Sequence, residues 1–525
     1  MLLLRDTTTT RELADAVRDH TALVRDSHAG HPDHASLGRK FTATLRAAAG
    51  SGLYEDTLGP ALVAKAAGTE PERAIGDLLT ELPFLPKKAL SEGGHRAFTR
   101  GLSEFLHYYE SSGTTGNPVA APKALDDLVA NTINIGELWA RILSPADRAL
   151  ILINAPFAPA AYQFEKVLEY LQVLSLRPWV DNITGDYTRV LRLTRELGVN
   201  VFVGPPSRLL EMIQFAYRND EPVPAFEKLF LMAEQTGPAF VRHLERLTGA
   251  RAYVAAYGSS ETGTTAVTCE HRNLHLQTQS YVLELDDASG TRRVDGRPDR
   301  GELVVTTLDI LARPLLRYRT GDLVEITGAD CPCGVATPLL RTLGRSQDLI
   351  TLEGNGIRQN DFESAIWAGD ENGDTGHISH TGDTGDTGDA GDAGDAAGQA
   401  AKAGGGADAD GSRVPAPRPG TTHVLNYMLV IRDRTILCLA TTTGEADAAW
   451  TEATTRRIAG LFPGYELALR PVEKLPPLAS LGQYLGWKLS RVLDLNDDRN
   501  WDRLPAPIRG VVETTLAEYA STTQS

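Results

Sequence analysis

The chain has 525 residues, of which 42% are apolar, and a formal net charge of −16. That length exceeds one ordinary hydrophobic core and requires two or more domains. The acidic balance excludes a general nucleic-acid binder, which needs a basic face.

Part of the negative charge is local. Residues 368–420 hold ten acidic side chains against three basic ones, Lys402, Arg413 and Arg418. Four cysteines in a chain of this size do not make a disulfide framework. The opening Met1-Leu2-Leu3-Leu4-Arg5-Asp6 is too short an apolar run for a signal peptide. No stretch reaches the roughly eighteen apolar residues of a membrane span. A soluble cytoplasmic protein with no nucleic-acid or membrane partner is expected. Its assembly state, including a homodimer, is left open.

Residues 1–100 read as helical, with Leu, Ala and Ile at helical spacing and helix ends expected at Gly50 and Pro60. The stretch from Ser111 to Gly116 then places four hydroxyl residues and two glycines in six positions. Such a loop offers backbone N–H and side-chain O–H groups together and suits a phosphate chain. It lacks the lysine and spacing of the common nucleotide loop. An ordinary Ser/Thr/Gly turn is the lesser alternative for the loop by itself.

From Ala124 onward, helices alternate with short apolar strands. The expected strands are 149–153, 177–180, 200–203, 228–232 and 251–254. The expected helices are 124–143, 163–176, 187–197, 207–217 and 238–248. This alternation predicts βαβ units and a mainly parallel sheet, an α/β fold. Ala233-Glu234 and Tyr257-Gly258-Ser259-Ser260-Glu261-Thr262 then follow strand ends, where open α/β sheets bind ligands. Residues 264–340 turn β-rich, with strands 281–285 and 301–305. A small α+β unit follows, with strand 348–352, helix 361–367, hairpin strands 423–430 and 435–440, and helix 447–461. Between its parts lie Gly-Asp-Thr repeats that can bury no core, so 368–420 is expected to be disordered. The nine-residue period of a calcium-binding roll is missing.

Taken together, Ser111 to Gly116, Tyr257 to Gly263, Tyr318-Arg319-Thr320-Gly321-Asp322, Leu343 to Asp348 and Trp487-Lys488-Leu489-Ser490-Arg491 form an ordered set. In this order the set resembles the adenylate-forming superfamily of acyl-CoA synthetases and adenylation domains, and within it the phenylacetate–CoA ligase branch. The resemblance covers residues 80–365 well and 420–500 weakly. It implies a helical N-terminal region at 1–100 and an adenylate-forming core at 101–343. It also implies a small mobile C-terminal domain at 344–367 and 421–525, interrupted by the 368–420 insertion.

The implied activity is ATP-dependent activation of a small carboxylic acid, with an aromatic acid favoured, followed by transfer to CoA. On this resemblance Ser111, Ser112, Gly113, Thr114, Thr115 and Gly116 hold the phosphates. Ala233, Glu234, Tyr257 and Gly258 line the adenine, with Ser260 and Thr262 beside them. Asp322 receives the ribose hydroxyls, and Arg345 reaches ribose or phosphate. Glu261 is the Mg²⁺ ligand, a hard oxygen for a hard cation. Phe157, Tyr162 and Ala256 border the acid pocket. Asp348 is the hinge for rotation of the small domain. Lys488 is the mobile cation between the acid and the α-phosphate.

Blander roles stand beside these. Glu261 also suits the first turn of a helix, and Asp322 a turn cap. Arg345 with Asp348 also suits a surface pair, and Lys488 a solvated edge. Cys269, His275, Cys331 and Cys333 make a complete tetrahedral zinc set for a structural ion. His271 competes with His275, and free buried thiols are the other reading.

Two departures from the branch matter. Asn117 stands where lysine is usual. Residues 352–359 replace a loop that faces the acceptor. The acceptor is therefore CoA or, alternatively, an amine or a carrier protein, as in secondary-metabolism tailoring enzymes. Nitrite activation for N–N bond formation belongs to the same alternative.

Overall fold

The computed structural model describes residues 6–111, 118–154, 157–180, 185–234, 236–344, 349–352, 355–368, 422–475, 491–496 and 498–503, with a few isolated positions beyond. The chain opens with α1 (Thr7–His28) and α2 (His34–Ala49), each started by an aspartate cap. Asp6 accepts from Thr9 N, and Asp33 from Ser36 N, which satisfies donors that a helix start leaves open. Gly50 ends α2 as the spacing predicts. Pro60, however, opens α3 (Pro60–Gly68) instead of ending a helix. Proline has no N–H to lose at a first helical position. Two shorter helices follow, α4 (Pro71–Leu78) and α5 (Lys87–Gly93). Phe41, Leu45, Ala74 and Leu78 bury themselves with Leu315 and Tyr318, so the helical region shares a core with a later strand.

Two strands, β1 (His107–Glu110) and β2 (Ala120–Lys123), pair antiparallel around the hydroxyl-rich loop. Then α6 (Leu125–Trp139) leads into a five-stranded parallel sheet. Its strands are β3 (Arg148–Ile151), β4 (Leu174–Leu176), β5 (Val201–Gly204), β6 (Lys228–Leu231) and β7 (Arg251–Val254), in the order β4-β3-β5-β6-β7. The crossovers are α7 (Ala160–Tyr170), α8 (Thr188–Glu196), α9 (Pro206–Arg218) and α10 (Pro238–Thr248). Apolar runs such as Val201-Phe202-Val203 are fully buried because helices cover both faces. The strand expected at 177–180 lies at 174–176 instead, after a helix that ends at Tyr170.

An eight-stranded antiparallel sheet follows. It contains β8 (Ala256–Ser259), β9 (Gly263–Thr268), β10 (Leu274–Leu276), β11 (Tyr281–Asp287), β12 (Gly290–Arg293), β13 (Asp299–Thr307), β14 (Tyr318–Thr327) and β15 (Leu339–Gly344). Their order is β12-β11-β13-β14-β15-β10-β9-β8. Next come the hairpin β16 (Leu349–Leu352) with β17 (Asn355–Arg358), and α11 (Gln359–Trp367). The last sheet orders β20-β19-β18-β21, from β18 (Val424–Arg432), β19 (Thr435–Thr442), β20 (Glu466–Pro471) and β21 (Val492–Asp494), with α12 (Ala448–Ala459) packed on β20. The hairpin expected at 423–440 is the β18–β19 pair.

The small C-terminal unit docks on α9 and α10. His243 stacks on Trp367 with ring centroids 4.1 Å apart, and its Nε2 meets the Leu425 carbonyl at 2.9 Å. Asn360 supplies a cap to α10, accepting from Ala239 N at 3.2 Å, because Gly237 has no side chain to do so. Phe240, Phe362, Trp367 and Tyr427 are all buried in one continuous core. Each contributes about 1.5–3 kcal/mol or more of apolar burial. The insertion expected at 368–420 lies outside the described residues, apart from Ala368.

Candidate functional site

Strand β7 ends at Val254, and after Ala255 the chain enters β8. The motif that follows is a tight hairpin. Ser259 pairs with Gly263, which leaves Ser260, Glu261 and Thr262 as a three-residue turn. Gly263 closes it at φ +69°, the left-handed conformation such turns require. Gly258 is needed for closeness, since a Cβ there would stand 2.1 Å from the Gly263 carbonyl. Glu261 is therefore on a hairpin tip, and the alternative of a helix-start acid is removed. Ser259 and Thr262 brace the turn by exchanging hydrogen bonds at 3.1 Å. Tyr281 Oη donates to the Thr262 carbonyl at 2.8 Å.

Asp322 reaches the same place through an irregularity. Between the pairs Val304–Arg319 and Glu302–Leu323, β14 carries two more residues than β13. Thr320-Gly321-Asp322 therefore bulges from the ladder. Thr320 Oγ1 accepts from Asp322 N at 3.1 Å, so the threonine braces the bulge and the Asp322 carboxylate is turned elsewhere. Tyr257 Oη donates to its Oδ2 at 2.8 Å. Tyr257, Gly258, Glu261, Thr320 and Asp322 line one narrow cleft, and Lys87 forms part of its wall.

Glu261 is 3% exposed. Burial pushes its carboxyl up. Lys87, a backbone N–H, the Ser259 hydroxyl and Arg313 pull harder and hold it below the usual carboxylate range. Lys87 Nζ stands 3.7 Å from Oε1. Behind the turn, Arg313 Nη2 donates to the Glu261 carbonyl at 2.9 Å, and Lys123 Nζ reaches the Ser260 carbonyl at 3.5 Å. Burial lowers Lys123 to about 8, opposed by Asp127 and Glu261. Asp127 accepts from Ala124 N and Leu311 N, tying the start of α6 to the segment before Arg313. Lys123 closes β2, so it joins the hydroxyl-rich hairpin to the Glu261 turn.

Among the residues expected to form the phosphate loop, Ser111 is described. Its Oγ accepts from Val119 N at 2.9 Å, and its N–H donates to the Val119 carbonyl. Ser112, Gly113, Thr114, Thr115 and Gly116 lie outside the described residues, as do Arg345, Asp348 and Lys488. Gly344 pairs with Leu323, so the chain leaves β15 beside Asp322. Phe157 is 73% exposed, and its carbonyl accepts from Glu110 N. Tyr162 packs on His107 with ring centroids 4.2 Å apart. Both residues therefore stand beside β1, while Ala256 is on β8.

Ala233 is exposed and holds φ +66°, unusual for a residue with a Cβ. That turn sends Glu234 back to α9, where its carboxylate accepts from Ser207 N at 3.2 Å and from Ser207 Oγ. Burial raises Glu234, and Arg491 is the leading group that opposes this. Arg491 is itself buried, with its guanidinium 4.1 Å from the Phe240 ring centroid and 4.0 Å from Glu363. Sequence motifs did not single out Lys87, Lys123, Arg313 or Ser207. None of them lies in a recognisable pattern, and each comes from a segment distant in the chain from the residue it serves.

The cysteine cluster forms where β9, β10 and β15 pair in the β-rich sheet. Cys269 follows β9, His275 is on β10, and Cys331 and Cys333 occupy the turn before β15. Their ligand atoms all lie within 4.8 Å of one another, and His271 is not among them. The Cys269 and Cys331 sulfurs are 3.7 Å apart, and Cys333 Sγ is 3.2 Å from His275 Nε2. Around a tetrahedral zinc with ~2.3 Å bonds, sulfurs sit about 3.8 Å apart. His275 Nδ1 faces the Thr337 carbonyl, which can only accept, so Nε2 is left as the ligand nitrogen. N–H groups of His271 and Val335 point at Cys269 and Cys333 sulfurs. The donor set fits a zinc ion.

A separate hollow between α1, α2 and α6 is lined by Asp19, His20, Lys40 and Asp309. Its Lys40–Asp309 ion pair and His20–Asn134 hydrogen bond are structural, and it shares no residue with the cleft. Among the described residues no helix is long and apolar enough to cross a membrane.

No family profile matches the chain. It is 28% identical over 319 residues to a phenylacetate-coenzyme A ligase of Thermus thermophilus, a match covering 58% of this chain and 69% of that one. A solved 2-hydroxyisobutyryl-CoA ligase in its postadenylation state superposes with a TM-score of 0.61 at 15% identity, covering 92% of this chain and 91% of that one. The acyl acid amido synthetase GH3.15 superposes with a TM-score of 0.55 at 12% identity, covering 95% of both chains. In sequence the chain is similar to the phenylacetate–CoA ligase branch, and its fold is that of the adenylate-forming ligases.

Proposed function

We propose that the protein is an ATP-dependent acid–CoA ligase that forms an acyl-adenylate, releasing pyrophosphate, and then transfers the acyl group to the CoA thiol, releasing AMP. The observation that carries this is the cleft itself. Tyr257, hydrogen-bonded to Asp322, and the ionised Glu261 meet beyond the carboxyl end of a parallel sheet. Likeness to phenylacetate-coenzyme A ligases supports the reaction class.

In the first half-reaction an acid oxygen attacks the α-phosphorus. The bond from that phosphorus to the β-bridging oxygen breaks, and pyrophosphate leaves with the electron pair. Asp322 would accept from the ribose hydroxyls, and Tyr257 orients that carboxylate. Ala233 and Glu234 border the adenine. Glu261, held ionised, would hold Mg²⁺, whose chemistry is neutralisation of the phosphate oxygens. The Ser111–Gly116 loop cradles the phosphates. Lys488 and Arg345 act at the α-phosphate and ribose, with Asp348 as the hinge. Phe157, Tyr162 and Ala256 border the acid, and a small aromatic acid suits them. Cys269, His275, Cys331 and Cys333 would hold a structural zinc.

The test is pyrophosphate exchange over a panel of carboxylic acids, with nitrite as a further arm, followed by offering CoA, amines and a carrier protein to the adenylate. Exchange with an aromatic acid and a thioester with CoA are expected. Lys488→Ala should lose exchange by on the order of a hundredfold, the effect of removing one electrostatic contact in the transition state. It should still convert supplied adenylate. Consumption of an amine with no thioester would move the function to an amide synthetase. Exchange only with nitrite would move it to N–N bond formation.

A further inference from the structure

Two cations stand behind the Glu261 turn that the reaction outlined above does not use. Lys123 is 7% exposed and Arg313 is 1% exposed. The backbone around Arg313 is clamped on both sides. Asp127 accepts from Leu311 N at 2.8 Å and from Ala312 N at 3.4 Å. Thr99 donates its hydroxyl to the Leu311 carbonyl and its N–H to the Ala312 carbonyl. Tyr54 Oη donates to the Pro314 carbonyl at 3.1 Å and accepts from Leu316 N at 3.0 Å.

The guanidinium itself is poorly satisfied. Nη2 donates to the Glu261 carbonyl at 2.9 Å, while Nε and Nη1 have no hydrogen-bond partner among the described residues. A guanidinium carries five donors, and burying one with most of them unmet is costly. A neutral amide would make the single bond at less cost. What the arginine adds is charge, and Glu261 is the first of the groups that offset its burial.

The peptides of the turn convert a pull from behind into an orientation in front. Carbonyl and N–H point opposite ways across a trans peptide, and the described chain has no cis bond. The Ser260 carbonyl faces Lys123 Nζ at 3.5 Å, and the Glu261 carbonyl faces Arg313. Opposite the first, the N–H of Glu261 donates to the carboxylate of the same residue. Opposite the second, the N–H of Thr262 donates to Ser259 Oγ at 3.1 Å. Neither peptide can rotate without breaking a bond on each side.

We propose that Arg313, with Lys123 as its weaker partner, is a positioning residue of the metal site: its charge draws the turn backward and fixes the direction from which the Glu261 carboxylate meets a divalent cation. This rests on the adenylate-forming reading above, in which Glu261 holds Mg²⁺. Neither side chain touches nucleotide or acid in this scheme. Both act through the backbone of the turn.

The test has two readouts. Mn²⁺ affinity is measured by water-proton relaxation with a saturating non-hydrolysable ATP analogue, and hydrogen–deuterium exchange of the turn is measured in the protein alone. Arg313→Met should weaken Mn²⁺ binding by on the order of tenfold, the scale of one hydrogen bond from a charged donor. It should also speed exchange in residues 259–264 by on the order of tenfold, with β6 of the parallel sheet unchanged. Lys123→Met should show the same pattern at about two- to threefold, because its contact is longer. Arg313→Lys should recover most of both losses, and Arg313→Gln, a donor without charge, should not. In a Glu261→Gln background, Arg313→Met should weaken Mn²⁺ binding no further, since one residue acts through the other.

Additive losses in that double variant would overturn the proposal, as would full recovery by Arg313→Gln. Exchange that rises equally in β6 would mean general damage and would overturn it too. Should Arg313→Met fail to fold, Arg313→Lys against Arg313→Gln carries the same comparison. A parent protein that takes up no Mn²⁺ with the analogue and exchanges no pyrophosphate with any acid would end the functional reading. The exchange comparison would still decide whether Arg313 holds the turn.

Discussion

At the scale of single residues, the site depends on backbone conformations that side chains usually avoid. Ala233 sits at φ +66° and aims Glu234 at Ser207. A Cβ in the left-handed region costs about 1–2 kcal/mol, while glycine carries an entropic penalty of roughly 0.5–1 kcal/mol. Ala233→Gly should therefore stabilise the protein by about 0.5–1 kcal/mol, read as a higher midpoint in urea unfolding. A lower midpoint would show that the Ala233 methyl makes a contact worth more than the strain. The residues that face the cleft were unequally legible. Tyr257, Glu261 and Asp322 stand in motifs whose order is specific, whereas Lys87 and Arg313 carry no local signal. They join the site because Leu85 bridges to β14 and because the chain before β14 passes under the Glu261 turn. No spacing rule connects positions so far apart in sequence.

Elements were more legible than their ends. Helix α10 and strand β7 match their expected bounds because glycine and proline punctuate them. Pro60 was misread because proline ends some helices and begins others, and only the flanking packing decides. The cysteine cluster shows the same division. Four ligands of the right type are visible in the chain, but the choice of His275 over His271 follows from the β9–β10–β15 register. Stripping metal from the protein, or replacing Cys331 by Ala, should remove about one zinc per chain. Either change should lower Tm by at least about 2–4 °C, the shift that ~1 kcal/mol produces in a domain of this size. Metal analysis showing no stoichiometric zinc, with Tm unchanged in Cys331→Ala, would leave the cluster as buried thiols.

For the molecule as a whole, the seam between the small C-terminal unit and α10 should be sensitive to acid. Burial pushes His243 down to about 3; the Leu425 carbonyl opposes this, while Arg246, Arg491 and His423 add to it. A histidine lowered in the folded state binds its proton first in the unfolded chain. Stability is therefore complete above the unfolded value near 6.5 and falls as pH drops toward 3. Urea unfolding between pH 7.5 and 4.5 should show this slope, and His243→Gln should flatten it. An unchanged slope in that variant would place the acid sensitivity elsewhere.

The insertion bears on the same scale. Trp367, just before it, and Tyr427, just after it, have ring centroids 5.6 Å apart, so the flanking elements already share a core. Deleting residues 368–420 and joining the ends with a short glycine linker should leave pyrophosphate exchange within a few-fold of the parent. A hundredfold loss would show that the repeats carry function.

By itself the sequence determined the α/β class, the alternation that builds the parallel sheet, and the cleft residues that travel in motifs. It could do so because burial on both faces writes continuous apolar runs, and because glycine and proline mark turns locally. Only the tertiary structure decided that Glu261 stands on a hairpin tip, that β14 bulges to present Asp322, and that Lys87, Lys123 and Arg313 converge on the Glu261 turn, Lys87 at its carboxylate and the other two at its backbone carbonyls. Those outcomes depend on strand register and on contacts between segments far apart in the chain, and register is set by the packing of whole sheets, not by any local spacing.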